Sequence, residues 1–187
     1  MSKAVMLSIR PKWVEKIANG EKTIEVRKTR PRLDTPFKCY IYCTLQGCNE
    51  FFRVDLGRDV AKWNRGKWAD RKGKVIGEFT CDRIDRLAPA NEPYGIYDID
   101  DDYVLQTCLE NGALWDYGHG TPLYGWHISD LLIYDQPREL SEFRRATDPC
   151  DSCHAEYTWE CTDCKKFGGN IKRPPQSWCY VEVMKDG

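Results

Sequence analysis

The sequence predicts an α+β fold, a small mixed β-barrel with peripheral helices, and three observations carry that prediction. Segments of strand character outnumber helical ones. The two kinds do not alternate regularly, which argues against a parallel sheet wrapped by crossover helices. At 187 residues the chain is long enough for one well-buried domain, or for one domain plus a small appendage.

The elements follow in order. Ala4 to Arg10, AVMLSIR, is short and β-rich and reads as a first strand. Pro11 stands where a helix can begin, because its missing N–H would have no partner there. Trp13, Val14, Ile17 and Ala18 then mark one apolar helix face, and Gly20 supplies the stop. In TIEVRK, Ile24 and Val26 alternate with Thr23, Glu25 and Arg27, so one face meets a core and the other displays polar groups. Phe37 to Leu45 is a further strand, and Gly73 to Leu87 is a long one with Gly77 as a bend or bulge. Between them RDVAKWNRGKW has helical character closed by Gly66. Asp100 to Leu109 reads as a helix whose acidic start suits the positive end of its dipole. Leu123 to Asp135 reads as a strand pair or a bent strand, and Gln176 to Val183 is the last strand.

Hydrophobic residues at 41% and charged residues at 30% lie in the globular range, with no internal repeat or low-complexity block. The opening MSKAVMLSIRPKW has an apolar run interrupted by Ser8 and Arg10 and no cleavage pattern, and no stretch approaches the length of a membrane span. A cytoplasmic protein without membrane contact is the expectation. The net charge of −1 conceals segregation: residues 1–32 carry nine basic and three acidic residues, residues 53–74 eight and three, and residues 85–110 one and seven. That asymmetry is compatible with a polyanion-binding face, or with basic and acidic segments that neutralise each other across the fold.

Ten cysteines in a reducing compartment are more often core residues or metal ligands than disulfides. Cys150, Cys153, Cys161 and Cys164 form C-x₂-C-x₇-C-x₂-C. Two intervening residues let both thiolates of a pair face one tetrahedral ion, and two such pairs complete a closed four-sulfur site. The flanking RRATDP and KKFGGNIKRPP are polar and rich in glycine and proline, so a structural Zn²⁺ would hold together a segment with almost no core of its own. His154 is an alternative ligand for one position. Cys39, Cys43, Cys48, Cys81, Cys108 and Cys179 are expected as small core residues.

The run LSIRPKWVEKIANGEKTIEVRK, the extended GKVIGEFTCDRI, and a final strand following GWHISDL together resemble the ASCH domain, a PUA-like small barrel. The motif carrying most of the likeness is Gly-x-Lys-Thr-x-x-x-Arg, here Gly20, Lys22, Thr23 and Arg27. The resemblance covers most of residues 3–145 and 174–183, and implies a barrel domain of residues 1–145 plus 174–187 with residues 146–173 as a four-cysteine insertion. It implies a cleft associated with RNA or nucleoside binding. Some members are amidohydrolases that deacylate acylated cytidine with a lysine at the Lys22 position, a threonine on the same strand and a distant glutamate; others have been linked to RNA cleavage. In this chain Glu25 replaces the second threonine of the strand motif, and Glu78 and Glu110 are the candidates for the distant glutamate.

The residues support a chemical reading of their own. Lys22 beside Glu25 and Arg27 offers a nucleophile or base, a carboxylate to exchange its proton, and a cation for a phosphate or oxyanion. Thr23, Arg10 and Lys28 extend the polar surface. Trp63 and Trp68 lie among Arg58, Lys62, Arg65 and Lys67, an arrangement in which bases stack while phosphates are neutralised. Trp126, His127 and Ser129 are a second candidate wall. The alternative is an exposed edge strand whose charges pair with neighbours. Three functions remain open: recognition of RNA, single-stranded nucleic acid or a modified nucleoside; hydrolysis in the same place by an amidohydrolase or nuclease; and a protein-interaction adaptor whose zinc segment is the contact surface.

Overall fold

The structure, a computed structural model, describes residues 3–45, 71–90, 95–146 and 169–184. The candidate helix at RDVAKWNRGKW, Trp63, Trp68 and the four-cysteine motif lie outside them. In chain order the elements are β1 (Lys3–Ile9), α1 (Pro11–Ala18), β2 (Ile24–Arg27), β3 (Phe37–Cys43), β4 (Val75–Leu87), α2 (Asp101–Thr107), α3 (Asn111–Gly118), β5 (Leu123–Arg138), β6 (Arg144–Arg145), β7 (Gly169–Asn170) and β8 (Trp178–Glu182). A short 3-10 turn spans Leu140–Glu142. The strands form one eight-stranded sheet in the order β2-β5-β4-β3-β1-β8-β6-β7. It is mixed, since β1 runs parallel to β3 and antiparallel to β8. Among the described residues the sheet is open, with β2 and β7 at its ends, whereas the sequence suggested a small mixed barrel. No described helix is long and apolar enough to cross a membrane.

The chain divides into two compact units, one of Met1–Val14, Lys38–Glu78 and Leu132–Gly187, the other of Glu15–Phe37 and Phe79–Leu131. In the first, β1 lies between two partners, and Ala4, Val5, Met6 and Leu7 are all fully buried. That explains a continuous apolar run without alternation, the pattern of a strand covered on both faces. Tyr40, Val75, Phe143 and Val181 complete this core, with Tyr40 and Phe143 meeting edge to face at 4.9 Å between centroids. Gly77, read from sequence as a bend, instead allows a close approach: a Cβ there would collide with the backbone oxygen of Leu132. The two-residue ladder of β6 and β7 brings Arg145 opposite Gly169, so the chain leaves and returns at adjacent points around the cysteine-bearing segment.

The second unit has its own core of Val26, Leu87, Tyr97, Leu114 and Leu123. Its α2 begins where the acidic run predicted: the Asp100 side chain caps the helix by accepting from the Tyr103 N–H at 2.7 Å, and Asp101 and Asp102 occupy the first turn. The helix α3 was not read from sequence, because Gly112 and Gly118 interrupt its apolar pattern. It is anchored by Asn111, whose side chain accepts from the Tyr97 N–H at 2.7 Å and donates to the Tyr97 carbonyl at 3.1 Å. The strand β5 is a single element with Asp130 at φ +48°, the bent-strand alternative. The α1 helix starts at Pro11 and buries Val14 and Ile17 as expected, but Trp13 is only half-buried, with the Lys12 ammonium 4.5 Å from its ring centroid.

Candidate functional site

The site grows from the turn that enters β2, within the second unit. Backbone bonds pin that turn: Lys22 N–H donates to the Lys16 carbonyl, Thr23 N–H to Gln106, and the Thr23 carbonyl accepts from Ile128 N–H at 2.9 Å. The antiparallel register sets Ile24 opposite His127, Glu25 opposite Trp126, and Arg27 opposite Tyr124. Lys22, Glu25 and Arg27 are 2%, 6% and 7% exposed. A charged strand at the edge of a sheet is ordinarily solvated, so this burial is the feature to explain.

The three side chains form a charge chain. Lys22 Nζ lies 3.5 Å from Glu25 Oε2, and Arg27 Nη2 lies 3.0 Å from Glu25 Oε1. The ammonium also donates to the Thr107 carbonyl at 2.5 Å. Thr107 is the last residue of α2, where unsatisfied carbonyls carry partial negative charge and favour a cation. Burial nevertheless pushes the Lys22 pKa below its ordinary value, with the Arg27 charge acting the same way; the Glu25 carboxylate and Cys108 oppose the shift without cancelling it. A lysine so placed is closer to the neutral, nucleophilic amine than a surface lysine is.

The other sequence candidates take varied positions. Trp126 is fully buried, packed edge-on against Phe37 with centroids 5.8 Å apart. Thr23 is half-buried. Lys28 is exposed, its ammonium 5.0 Å from the Tyr117 ring centroid, and Arg30 and Arg32 follow it into solvent. Arg10 is exposed between β1 and α1, in the first unit, and its carbonyl accepts from Trp13 and Val14 N–H groups. Glu78 also belongs to the first unit, where it accepts from Lys38 at 2.7 Å and Tyr134 at 2.5 Å; burial raises its pKa, but these two bonds outweigh that and leave it lowered. Glu110 is the exposed residue preceding α3.

His127 belongs to a second polar cluster that the sequence reading did not assemble. Its Nε2 lies 2.6 Å from Asp85 Oδ2 and 3.0 Å from Arg83 Nη2, while Arg83 Nε lies 3.2 Å from Asp85 Oδ1. Tyr103 of α2 meets the imidazole edge-on at 6.4 Å, and its buried hydroxyl rests over Gly125, where a Cβ would collide with it. The available signal was the alternation in β4, which puts Arg83 and Asp85 on one face two residues apart. Their meeting with a histidine 42 residues away from Asp85 depends on the β4–β5 register.

Cys39, Cys43, Cys81 and Cys179 are buried, as expected, and Cys108 is half-buried. Cys48 lies outside the described residues, as do Cys150, Cys153, Cys161 and Cys164. Among the described residues no group of three or more histidine, cysteine or carboxylate side chains is arranged around a metal position.

No protein-family model matches the chain, and no curated protein matches it. Solved structures do. The crystal structure of the ASCH protein of Zymomonas mobilis superposes with a TM-score of 0.53 at 18% identity, covering 96% of this chain and 87% of that one. A tyrosine-to-phenylalanine variant of that protein gives 0.54 at 18% identity, covering 97% and 91%. A serine-to-alanine variant gives 0.53 at 17%, covering 96% and 88%. At this identity the likeness is one of fold, and the fold of this chain is ASCH-like.

Proposed function

We propose that this chain recognises RNA or a modified nucleoside at the β2 turn, with the Lys22–Glu25–Arg27 chain as its chemical centre. The observation that supports the reading most is the burial of three ionisable groups from one short segment. Such a group costs several kcal/mol of desolvation per ion and stabilises a fold no better than apolar residues would. Perturbed, buried ionisable groups concentrate where chemistry or recognition needs them. The exposed Lys28, Arg30 and Arg32 continue directly from this centre and supply positive charge for a phosphate backbone. The ASCH-like fold and the Gly20, Lys22, Thr23, Arg27 motif point the same way.

The lowered pKa of Lys22 favours a second reading, hydrolysis of an amide-bearing nucleoside or a phosphodiester. For an amide, the neutral amine takes a proton from water as the water oxygen bonds to the acyl carbon. The resulting ammonium, held by Glu25, returns the proton to the leaving nitrogen as the C–N bond breaks. The four-cysteine segment is proposed to hold a structural zinc ion through Cys150, Cys153, Cys161 and Cys164, because four thiolates complete the tetrahedral shell and leave no position for water.

The deciding experiment incubates the full chain with acylated and unmodified nucleosides and with short single-stranded RNA and DNA, read by mass spectrometry beside Lys22→Met. Product that disappears in Lys22→Met establishes hydrolysis and names the bond. Intact substrates with salt-sensitive RNA retention that weakens when Lys28, Arg30 and Arg32 become glutamine establish recognition. Neither product nor retention overturns the proposal. Metal analysis before and after chelation tests the zinc site, and thiols that titrate freely in the folded, metal-free chain would remove it.

A further inference from the structure

The imidazole of His127 is placed between two groups that require opposite things of the same atom. Its Nε2 faces Asp85 Oδ2 at 2.6 Å, an acceptor, and Arg83 Nη2 at 3.0 Å, a donor. Neutral with a lone pair on Nε2, the ring accepts from Arg83, and Arg83 also neutralises Asp85 through contacts of 3.2 and 3.3 Å. Protonated, the ring donates Nε2–H to Asp85 and repels the guanidinium, so the carboxylate is shared between two cations and holds the arginine less tightly. The arginine side chain is 66% exposed, against 31% for Asp85 and 15% for His127, and so it is the member free to turn toward a solute.

We propose that Arg83, Asp85 and His127 form a proton-gated phosphate-binding site on β4 and β5, with Arg83 as the ligand-contacting group and His127 as the gate. The cluster carries no net charge when the imidazole is neutral and one positive charge when it is protonated, and in the protonated form the guanidinium shares its carboxylate with a second cation. Arginine is the side chain whose planar donors match a phosphate, which defines the ligand class. The groups facing the imidazole are Arg83 and Asp85 from β4 and Tyr103 from α2, while the Cys81 thiol of β4 lies against the His127 backbone and β2 contributes the apolar Ile24. Burial pushes the Cys81 thiol up to about 12, and burial together with the Asp85 charge raises Tyr103, so neither loses its proton near neutral pH. Histidine is the side chain whose charge ordinarily changes there. Tyr103 further braces the ring through its edge contact.

The phosphate could be free or part of a nucleotide chain, and the test separates these sources. Binding of inorganic phosphate, adenosine 5′-monophosphate and a short single-stranded RNA to the full chain is measured at about pH 5.5 and about pH 8, on either side of the ordinary imidazole range. Because inorganic phosphate and the monophosphate themselves take up a proton across this range, the response is read against His127→Gln: the ratio of affinity at the lower pH to that at the higher should be about threefold larger in the unaltered chain, the scale of one added exposed charge. Arg83→Gln should abolish binding of inorganic phosphate at both pH values, and His127→Gln should leave only the ligand's own pH response. By reciprocity, saturating phosphate should raise the His127 titration midpoint followed by imidazole NMR in the unaltered protein. A pH response the same in His127→Gln as in the unaltered chain, phosphate affinity untouched by Arg83→Gln, or a midpoint unmoved by phosphate would overturn the site. Because the NMR arm uses the unaltered chain, misfolding of a variant leaves the proposal exposed to refutation. If inorganic phosphate binds as described while RNA does not, this site stands and the nucleic-acid reading of the β2 turn fails; RNA binding indifferent to Arg83 and pH gives the reverse.

Discussion

Two clusters in one compact unit share a formula and differ in everything else. Lys22, Glu25 and Arg27 set a carboxylate between two cations, and so do Arg83, Asp85 and protonated His127. In the first the side chains are 1%, 8% and 8% exposed; in the second Arg83 is 66% exposed. The dry cluster cannot trade its contacts for water, so its geometry is rigid and removal of a member leaves an uncompensated charge. The wet cluster can exchange partners at little cost, which is what a gate needs. Burial, not residue type, separates a fixed chemical centre from a responsive one.

The largest expected effect comes from breaking the dry cluster at its centre. Glu25→Gln leaves Lys22 and Arg27 buried without their shared carboxylate and should lower unfolding free energy by about 3–5 kcal/mol, measured by urea denaturation. A loss below about 1 kcal/mol would mean that water reaches these charges as it reaches surface pairs, and the contrast would vanish. Next in size is Gly125→Ala, whose methyl group collides with the Tyr103 hydroxyl and should cost about 1–3 kcal/mol. Tyr103→Phe in the same chain should restore part of that loss; additive destabilisation in the double variant would show that the two residues do not meet.

The pH dependence of stability sharpens the comparison further. Because Lys22 has a folded pKa below its ordinary 10.5, the unfolded chain binds more protons between those two values. Stability should therefore rise as pH increases from the folded pKa toward 10.5, and the rise should be missing from the same curve for Lys22→Met. Superimposable slopes would show that the amine titrates as if solvated. The smallest effect belongs to the wet cluster: Arg83→Gln should change unfolding free energy by no more than about 1 kcal/mol while removing phosphate binding. A large stability loss there would make Arg83 a structural pillar rather than a ligand contact.

Much of the framework could be read directly from short stretches of chain. Pro11 began α1, the acidic run at Asp100 opened α2, and the β-rich run at Ala4–Arg10 marked the first strand. These are effects of neighbours within a few residues, and the residue types alone encode them. The helix α3 escaped that reading because its glycines dilute the apolar pattern and its anchor, Asn111, bonds to Tyr97, 14 residues away. The open sheet order was equally out of reach, since register and strand neighbours are set by distant pairing.

For the site, the sequence by itself determined which groups were available: Lys22, Glu25 and Arg27 in one segment, with His127 and Trp126 adjacent in another. Tertiary structure alone decided what each became. It brought the Thr107 carbonyl, 85 residues away, onto the Lys22 amine; it drew Asp85 and Arg83 to His127; and it buried Trp126 completely. The physical reason is that a strand pattern specifies faces with a period of two, whereas desolvation and charge pairing depend on which strand and which helix end cover each face.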